Sequence, residues 1–362
     1  MPPRRGPRAA VVLVGVIALV CAGVTIVIWQ VTRGPRAACK PAIIVVTCTD
    51  VTSDRAPHAL VYHGPEFRLR RPAGAAAAGG RMWITNSAGD SVTGIGLRPV
   101  ERPLVKSSSQ YGFSAPGAIV AGAGRLWVAN TLANTITELN AVKGTVIRTI
   151  PRVPSANSLM LLRGRLWVAS GQANSVRVFQ AGSGAQAKDF RGYGFAQPSA
   201  LAVSRGRVWV ANERSNTVTV MSAATGAWKA TLRGPRFGFD EPAAEVASPT
   251  RLWVANAANR TITEVNTVTR QPVRIIAGAR YHLGLPVAMV LAGGDLWVAD
   301  ALGDSVTEIN AATGALVRVL AGRAYRFDHP SAIAASRGRI WVTNADSGSV
   351  TELTPPRPPA AR

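Results

Sequence analysis

The sequence predicts an all-β protein, a seven-bladed β-propeller preceded by one N-terminal transmembrane helix. Two observations carry the propeller. Trp83, Trp127, Trp167, Trp209, Trp253, Trp297 and Trp341 follow one another at intervals of 44, 40, 42, 44, 44 and 44 residues. A period of about 40–45 residues is one four-stranded blade. Each tryptophan also sits in the same short phrase, as in Leu126-Trp127-Val128-Ala129-Asn130 and Ile340-Trp341-Val342-Thr343-Asn344. A third observation carries the helix: residues 9–31 are an uncharged, mostly apolar run behind Arg4, Arg5 and Arg8.

Residues 1–8 read as a short cytoplasmic tail and 9–31 as the anchor. At about 1.5 Å per residue the run reaches roughly 34 Å, enough to cross a bilayer core of about 30 Å. A cleaved signal peptide is the alternative, but its apolar core is ordinarily shorter, about 7–15 residues, and ends in a small-residue cleavage site. A lipid-modified Cys21 fits poorly, because Val20 stands where a small residue is wanted. Arg33, Arg36 and Lys40 follow the run, so the charge comparison across it is nearly balanced. The short tail before a large folded domain favours a single-pass protein of the cell membrane with its propeller outside the cytoplasm. Residues 32–57 then form a stalk. Its Cys39 and Cys48 are near enough in sequence for a disulfide in an oxidising compartment, or are two free thiols.

The propeller occupies residues 58–354. Its clearest repeat begins with the apolar strand Pro286 to Leu291, turns at Gly293-Gly294-Asp295, and continues in Leu296-Trp297-Val298-Ala299. A polar turn leads to the alternating strand Ser305 to Asn310, and Ala311-Ala312-Thr313-Gly314 leads to the outer strand Leu316 to Leu320. Proline stands 11 residues before tryptophan in six repeats, at Pro72, Pro116, Pro198, Pro242, Pro286 and Pro330. There it starts a strand without removing a ladder donor. Glycine stands three residues before tryptophan at Gly80, Gly124, Gly164, Gly206, Gly294 and Gly338, where a tight hairpin needs positive φ. The repeat that begins near Ser155 is shortened and lacks the proline. The last repeat stops after its third strand at Pro355-Pro356, so residues 58–63 are expected to supply its outer strand and close the ring. Residues 355–362 form a loose Pro-rich tail.

These repeats resemble the YVTN/NHL-type propeller family. Trp341-Val342-Thr343-Asn344 differs from the family's name motif by Trp for Tyr, and Trp83-Ile84-Thr85-Asn86 is one step further away. The resemblance covers roughly residues 58–354 and implies a fold far more than an activity, because the group includes sensors, binding proteins and a few enzymes.

Charge points to anionic partners. Lys plus Arg number 41 against 19 Asp plus Glu, a formal net charge of +22, and removing Arg4, Arg5 and Arg8 leaves +19 for residues 33–362. Such a balance attracts lipid headgroups, acidic wall polymers or nucleic acid; the equal alternative is the arginine bias of a GC-rich coding sequence. Arg81, Arg125, Arg165, Arg207, Arg251 and Arg339 stand two residues before tryptophan, with Asp295 the exception. They form either a cationic ring on one face or one turn copied by duplication. On the opposite face, Phe67, Tyr111, Tyr193, Phe237, Tyr281 and Tyr325 precede the proline position by five, as exposed stacking platforms or as wedges between blades.

The loops of that face also hold Asp240, Glu241, His282, Asp328 and His329, with Glu245 inside an innermost strand. Together they are candidates for metal binding or acid–base chemistry. The virginiamycin B lyase family, a seven-bladed propeller that uses a metal and a histidine in this general region, is similar in these broad terms. None of its catalytic residues can be matched position by position, so no catalytic residue is assigned. Thr225-Gly226-Ala227-Trp228 faintly resembles a quinoprotein repeat but occurs once. Phosphate-loop, zinc, dinucleotide and nucleophile-elbow patterns are missing. The expectation is a monomeric binding module with no cofactor. It attaches to the membrane through residues 9–31 and takes an anionic envelope polymer or a protein as ligand, with nucleic acid disfavoured. A metal-dependent lyase-type enzyme is the alternative.

Overall fold

The computed structural model describes residues 57–98 and 101–355, together with three short upstream strands, Val20–Cys21, Val24–Thr25 and Ile44–Cys48. Apart from those strands, the expected tail, anchor, stalk, Cys39–Cys48 pair and C-terminal tail lie outside the described residues. Among the described residues no helix is long and apolar enough to cross a membrane.

The ring has seven blades. Six are consecutive antiparallel four-stranded sheets, and blade 6 is typical: Pro286–Ala292, Asp295–Asp300, Ser305–Asn310 and Leu316–Ala321. Blade 7 takes three strands from the C-terminal end and its outer strand, His58–Tyr62, from upstream of blade 1. Thr351 pairs with Val61 and Leu353 with Ala59, so both chain ends close the ring as expected.

Local chemistry sets each corner. The six glycines before tryptophan all have φ between 69 and 91, and the residue ahead of each is also left-handed, as at Arg163, Arg205 and Arg337. Two successive positive φ values make the two-residue hairpin whose twist suits the strands. Six innermost strands open on the expected prolines, and the pairing slips by one residue directly behind them, as between Pro198 and Ala200. The proline therefore marks a β-bulge as well as a strand start.

The tryptophans hold neighbouring blades together. All seven are buried, at 0–3% exposure. Trp83 packs with Leu126 and Val128 of blade 2, Trp209 with Leu252 and Val254 of blade 5, and Trp341 with Met82 and Ile84 of blade 1. Each indole fills the seam to the next blade, and the seventh seam joins last to first. The aromatics ahead of the prolines mostly enter the same seams: Tyr111 lies with Trp83, Phe237 with Trp209 and Tyr281 with Trp253. They are wedges. Tyr193 alone among them is half-exposed.

Candidate functional site

Two faces carry the candidate residues: the face of the first hairpins, and the face of the loops that enter the innermost strands.

On the hairpin face most of the arginines do not stand free. Trp127 is directly opposite Glu138, which is directly opposite Arg148 on the outer strand. Arg125 lies on the same blade surface, so Glu138, with its side chain fully buried, is held by Arg125 at 2.5 Å and Arg148 at 2.8 Å. Arg148 also donates to the Gly182 carbonyl of blade 3, at 2.8 Å. Blade 5 repeats the row, with Arg251 and Arg274 each 2.8 Å from the buried Glu264. In blade 7 Arg339 pairs with Glu352, and Tyr62 of the closing strand donates to the same carboxylate at 2.6 Å. Burial, and then the neighbouring Glu352, push the Tyr62 phenol well above its ordinary range. Arg81 meets Glu101 at 3.4 Å, and Arg207 donates to the Thr267 carbonyl at 2.8 Å. Arg165 and Arg207 are the two of the six without an ion pair among the described residues. In three of the six blades that carry it, the duplicated arginine staples a buried glutamate.

Asp295 breaks this row in blade 6. It stands where the arginine should be, beside Glu308, and Arg318 is left as the counter-charge at 2.6 Å. Burial pushes Glu308 up to about 7, Asp295 adds to the rise, and Arg318 opposes it.

On the loop face a second network repeats. Asn130 donates from Nδ2 to the hydroxyls of Thr135 and Thr137, and Thr137 donates to the Tyr111 carbonyl at 2.9 Å. Blades 1, 4, 5 and 7 do the same from Asn86, Asn212, Asn256 and Asn344. This is the role of the asparagine in the recurrent phrase, and it ties each entering loop to its blade. A clamp then links blade to blade. The residue before the proline position is left-handed at Arg71, Ala115, Ser155, Gln197, Glu241 and His329. In all of these but Arg71 the N–H is taken by a turn side chain of the preceding blade: Glu241 by Asn216 at 2.8 Å, and His329 by Asp304 at 2.8 Å.

The predicted loop-face cluster is therefore dispersed. Glu241 and His329 occupy equivalent clamp positions two blades apart, Asp240 accepts from Asn216 at 3.4 Å, and His282 is the left-handed end of a short 3-10 turn. Asp328 contributes its backbone carbonyl to the blade 7 turn. No group of three or more His, Cys, Asp or Glu side chains among the described residues is placed to hold a metal. Glu245 packs against blade 4. Both its carboxyl oxygens are sealed from solvent against the backbone of Ala202 and Ala211, without a hydrogen bond of ordinary geometry. Burial raises its pKa well above the usual carboxylate range.

A wide concavity lies elsewhere, at the outer rim of blade 4. It measures about 1260 Å³ between the outer strand Trp228–Leu232, the loops on either side of the blade and the turn at 215–217. Tyr193 and Phe239 form its aromatic ends, Trp228 stands 52% exposed at its wall, and Lys229 and Arg233 add charge. Sequence reasoning passed over this groove, although a signal was present. Of the nine tryptophans seven keep the repeat spacing and Trp29 lies in the apolar run, which leaves Trp228.

Comparison with known proteins supports the architecture. No family model matches the chain, and no curated protein matches it. Among solved structures, selenomethionine-substituted virginiamycin B lyase from Staphylococcus aureus is similar with a TM-score of 0.69 at 13% identity, over 82% of this chain and 99% of that one. A catalytically inactive variant of that lyase with quinupristin gives 0.70 at 14% identity, over 82% and 99%. The WD40 β-propeller domain of Doa1 gives 0.65 at 14% identity, over 83% and 96%. Likeness at this identity shows a shared propeller fold and no shared chemistry.

Proposed function

We propose that this propeller is a binding module for an anionic polymer of the cell envelope, held at the membrane through residues 9–31 with the ring outside the cytoplasm. The repeats fit a divergent member of the YVTN/NHL-type group. One observation carries the reading: a net charge of +22 on a chain whose glutamates Glu138, Glu264, Glu308 and Glu352 are buried inside the blades. Internal ion pairs consume acid groups, and the outer surface keeps the cationic excess. Such a field concentrates polyanions and weakens with salt. A metal-dependent lyase would need its donors gathered, and the loop-face acids and histidines are instead distributed over separate clamps.

The test is retention of the full chain on envelope fractions at low and high ionic strength. Binding that falls at least tenfold between roughly 0.05 and 0.5 M salt supports the reading. Retention indifferent to salt, or to the acidic polymer content of the fraction, overturns it.

A further inference from the structure

We propose that the blade 4 groove is the ligand site and that its occupant is a glycan chain carrying carboxylates, such as a run of uronic acids. The inference rests on the binding-module reading above and adds a location and a chemistry to it.

The groove lies beside a shortened loop. The segment from Phe190 to Tyr193 has two residues fewer than the equivalent loop from Leu232 to Phe237, which is why Trp167 and Trp209 are 42 residues apart and not 44. The longer loops into blades 2, 5 and 6 carry a 3-10 turn, at Ser109–Tyr111, Pro235–Phe237 and Ala279–Tyr281. The short one has Gly192 and Gly194 at φ 79 and 75, with open space where a Cβ would lie. The rim is thereby lowered in front of the blade 4 outer strand.

What lines the lowered rim fits an acidic sugar. Trp228 presents a broad aromatic face, and its indole N–H is fixed on Thr231 Oγ1 at 3.1 Å, which orients the ring. Tyr193 is backed by Phe190 at 6.1 Å, and Phe190 by Trp167 at 6.0 Å, so this second aromatic is anchored to the core. Aromatic faces of this kind stack on the apolar faces of sugar rings with little loss of side-chain freedom. Ser215, Thr217 and Thr231 add hydroxyls to the lining, with Ser215 and Thr217 bonded to each other at 3.0 Å. Lys229 and Arg233 are exposed, and neither is spent on an ion pair among the described residues. No aspartate or glutamate lines the groove; Asp240, held on Asn216, is the nearest acid along the chain. Cations without acids select an anion, and arginine matches a carboxylate bidentately. The other blades lack this combination: the outer-strand position of Trp228 is Val146 in blade 2, Pro272 in blade 5 and Leu316 in blade 6.

The experiment is calorimetric titration of the full chain, in mild detergent, with oligogalacturonate, size-matched neutral dextran and poly-glutamate. The expected order is oligogalacturonate first, with dextran and poly-glutamate each at least tenfold weaker. Trp228→Ala should weaken oligogalacturonate binding at least tenfold, and Lys229→Gln with Arg233→Gln should do the same, all with unchanged thermal melting. Arg165→Gln, an exposed arginine of the other face, should leave the affinity unchanged. Undiminished binding by Trp228→Ala overturns the location and leaves the binding-module reading standing. Equal affinity for poly-glutamate overturns the glycan and points to an acidic peptide. Failure to bind any polyanion overturns both readings.

Discussion

Blades 5 and 6 are neighbours of equal length and the same strand pattern, and they differ where it matters electrically. Blade 5 completes the row Arg251–Glu264–Arg274 around a fully buried carboxylate. Blade 6 has Asp295 in place of the first arginine, so Glu308 pairs with Arg318 beside a second carboxyl group and its pKa is pushed up to about 7. The innermost strands differ in the opposite sense: blade 6 packs Met289 against the Trp253 cluster, whereas blade 5 buries Glu245 between blades at the matching position. The clamps differ too. Asp304 of blade 6 holds the His329 N–H, while Arg260 of blade 5 has replaced the acceptor, and the Leu285 N–H goes instead to Asp300 at 2.9 Å. One backbone frame thus tolerates a charge defect in every blade layer, provided that a neighbouring group supplies the missing partner or the carboxyl keeps its proton.

The largest expected effect is on the completed row. Glu264→Gln leaves two partly buried guanidinium groups without their shared carboxylate and should cost about 3–5 kcal/mol. Glu308→Gln in blade 6 should cost far less at neutral pH, because that carboxyl is already half-protonated there. Chemical unfolding of both variants settles the contrast, and equal losses would break it.

Next comes Glu245→Met, which gives blade 5 the residue of blade 6 and should stabilise by about 1–3 kcal/mol at pH 7 by removing a buried polar group without a partner. The sign follows from linkage. Above its ordinary value of 4.5 the unfolded chain releases a proton that folded Glu245 keeps, so this group's contribution is full at low pH and is lost as pH rises. Melting temperatures between pH 4 and 9 should accordingly fall less steeply in the variant.

Asp295→Arg should rebuild the row in blade 6 for a gain of about 1 kcal/mol at pH 7. In the native chain Glu308, raised from 4.5 to about 7, stabilises fully below 4.5 and loses that contribution as pH climbs through 7. The variant should flatten this interval, and a carboxyl-resolved NMR titration should find Glu308 titrating lower. The smallest effect is Arg260→Asn, which should change thermal unfolding by no more than about 0.5 kcal/mol, because the Leu285 N–H is already held by Asp300.

Most of the ring was legible in the sequence because a repeat reports each position seven times. The prolines, the hairpin glycines, the tryptophan seams and the outer strand from His58–Tyr62 all follow from spacing and strand chemistry. The candidate site was less legible. Arg125 and Arg251 looked like free cations because their partners Glu138 and Glu264 lie 13 residues away, opposite tryptophans, on a strand that reads as ordinary alternation. Glu241 and His329 stood out as residue types, yet the structure uses their backbone N–H groups, which side-chain identity does not reveal.

By itself the sequence determined the number of blades, the turns and the sign of the charge, since each is set by residue type and period. Only the tertiary structure decided which charges are spent and which are free, because that depends on which strands pack across a seam. It also placed Trp228 beside a shortened loop 35 residues before it, at Tyr193, where two distant irregularities in the repeat become one groove.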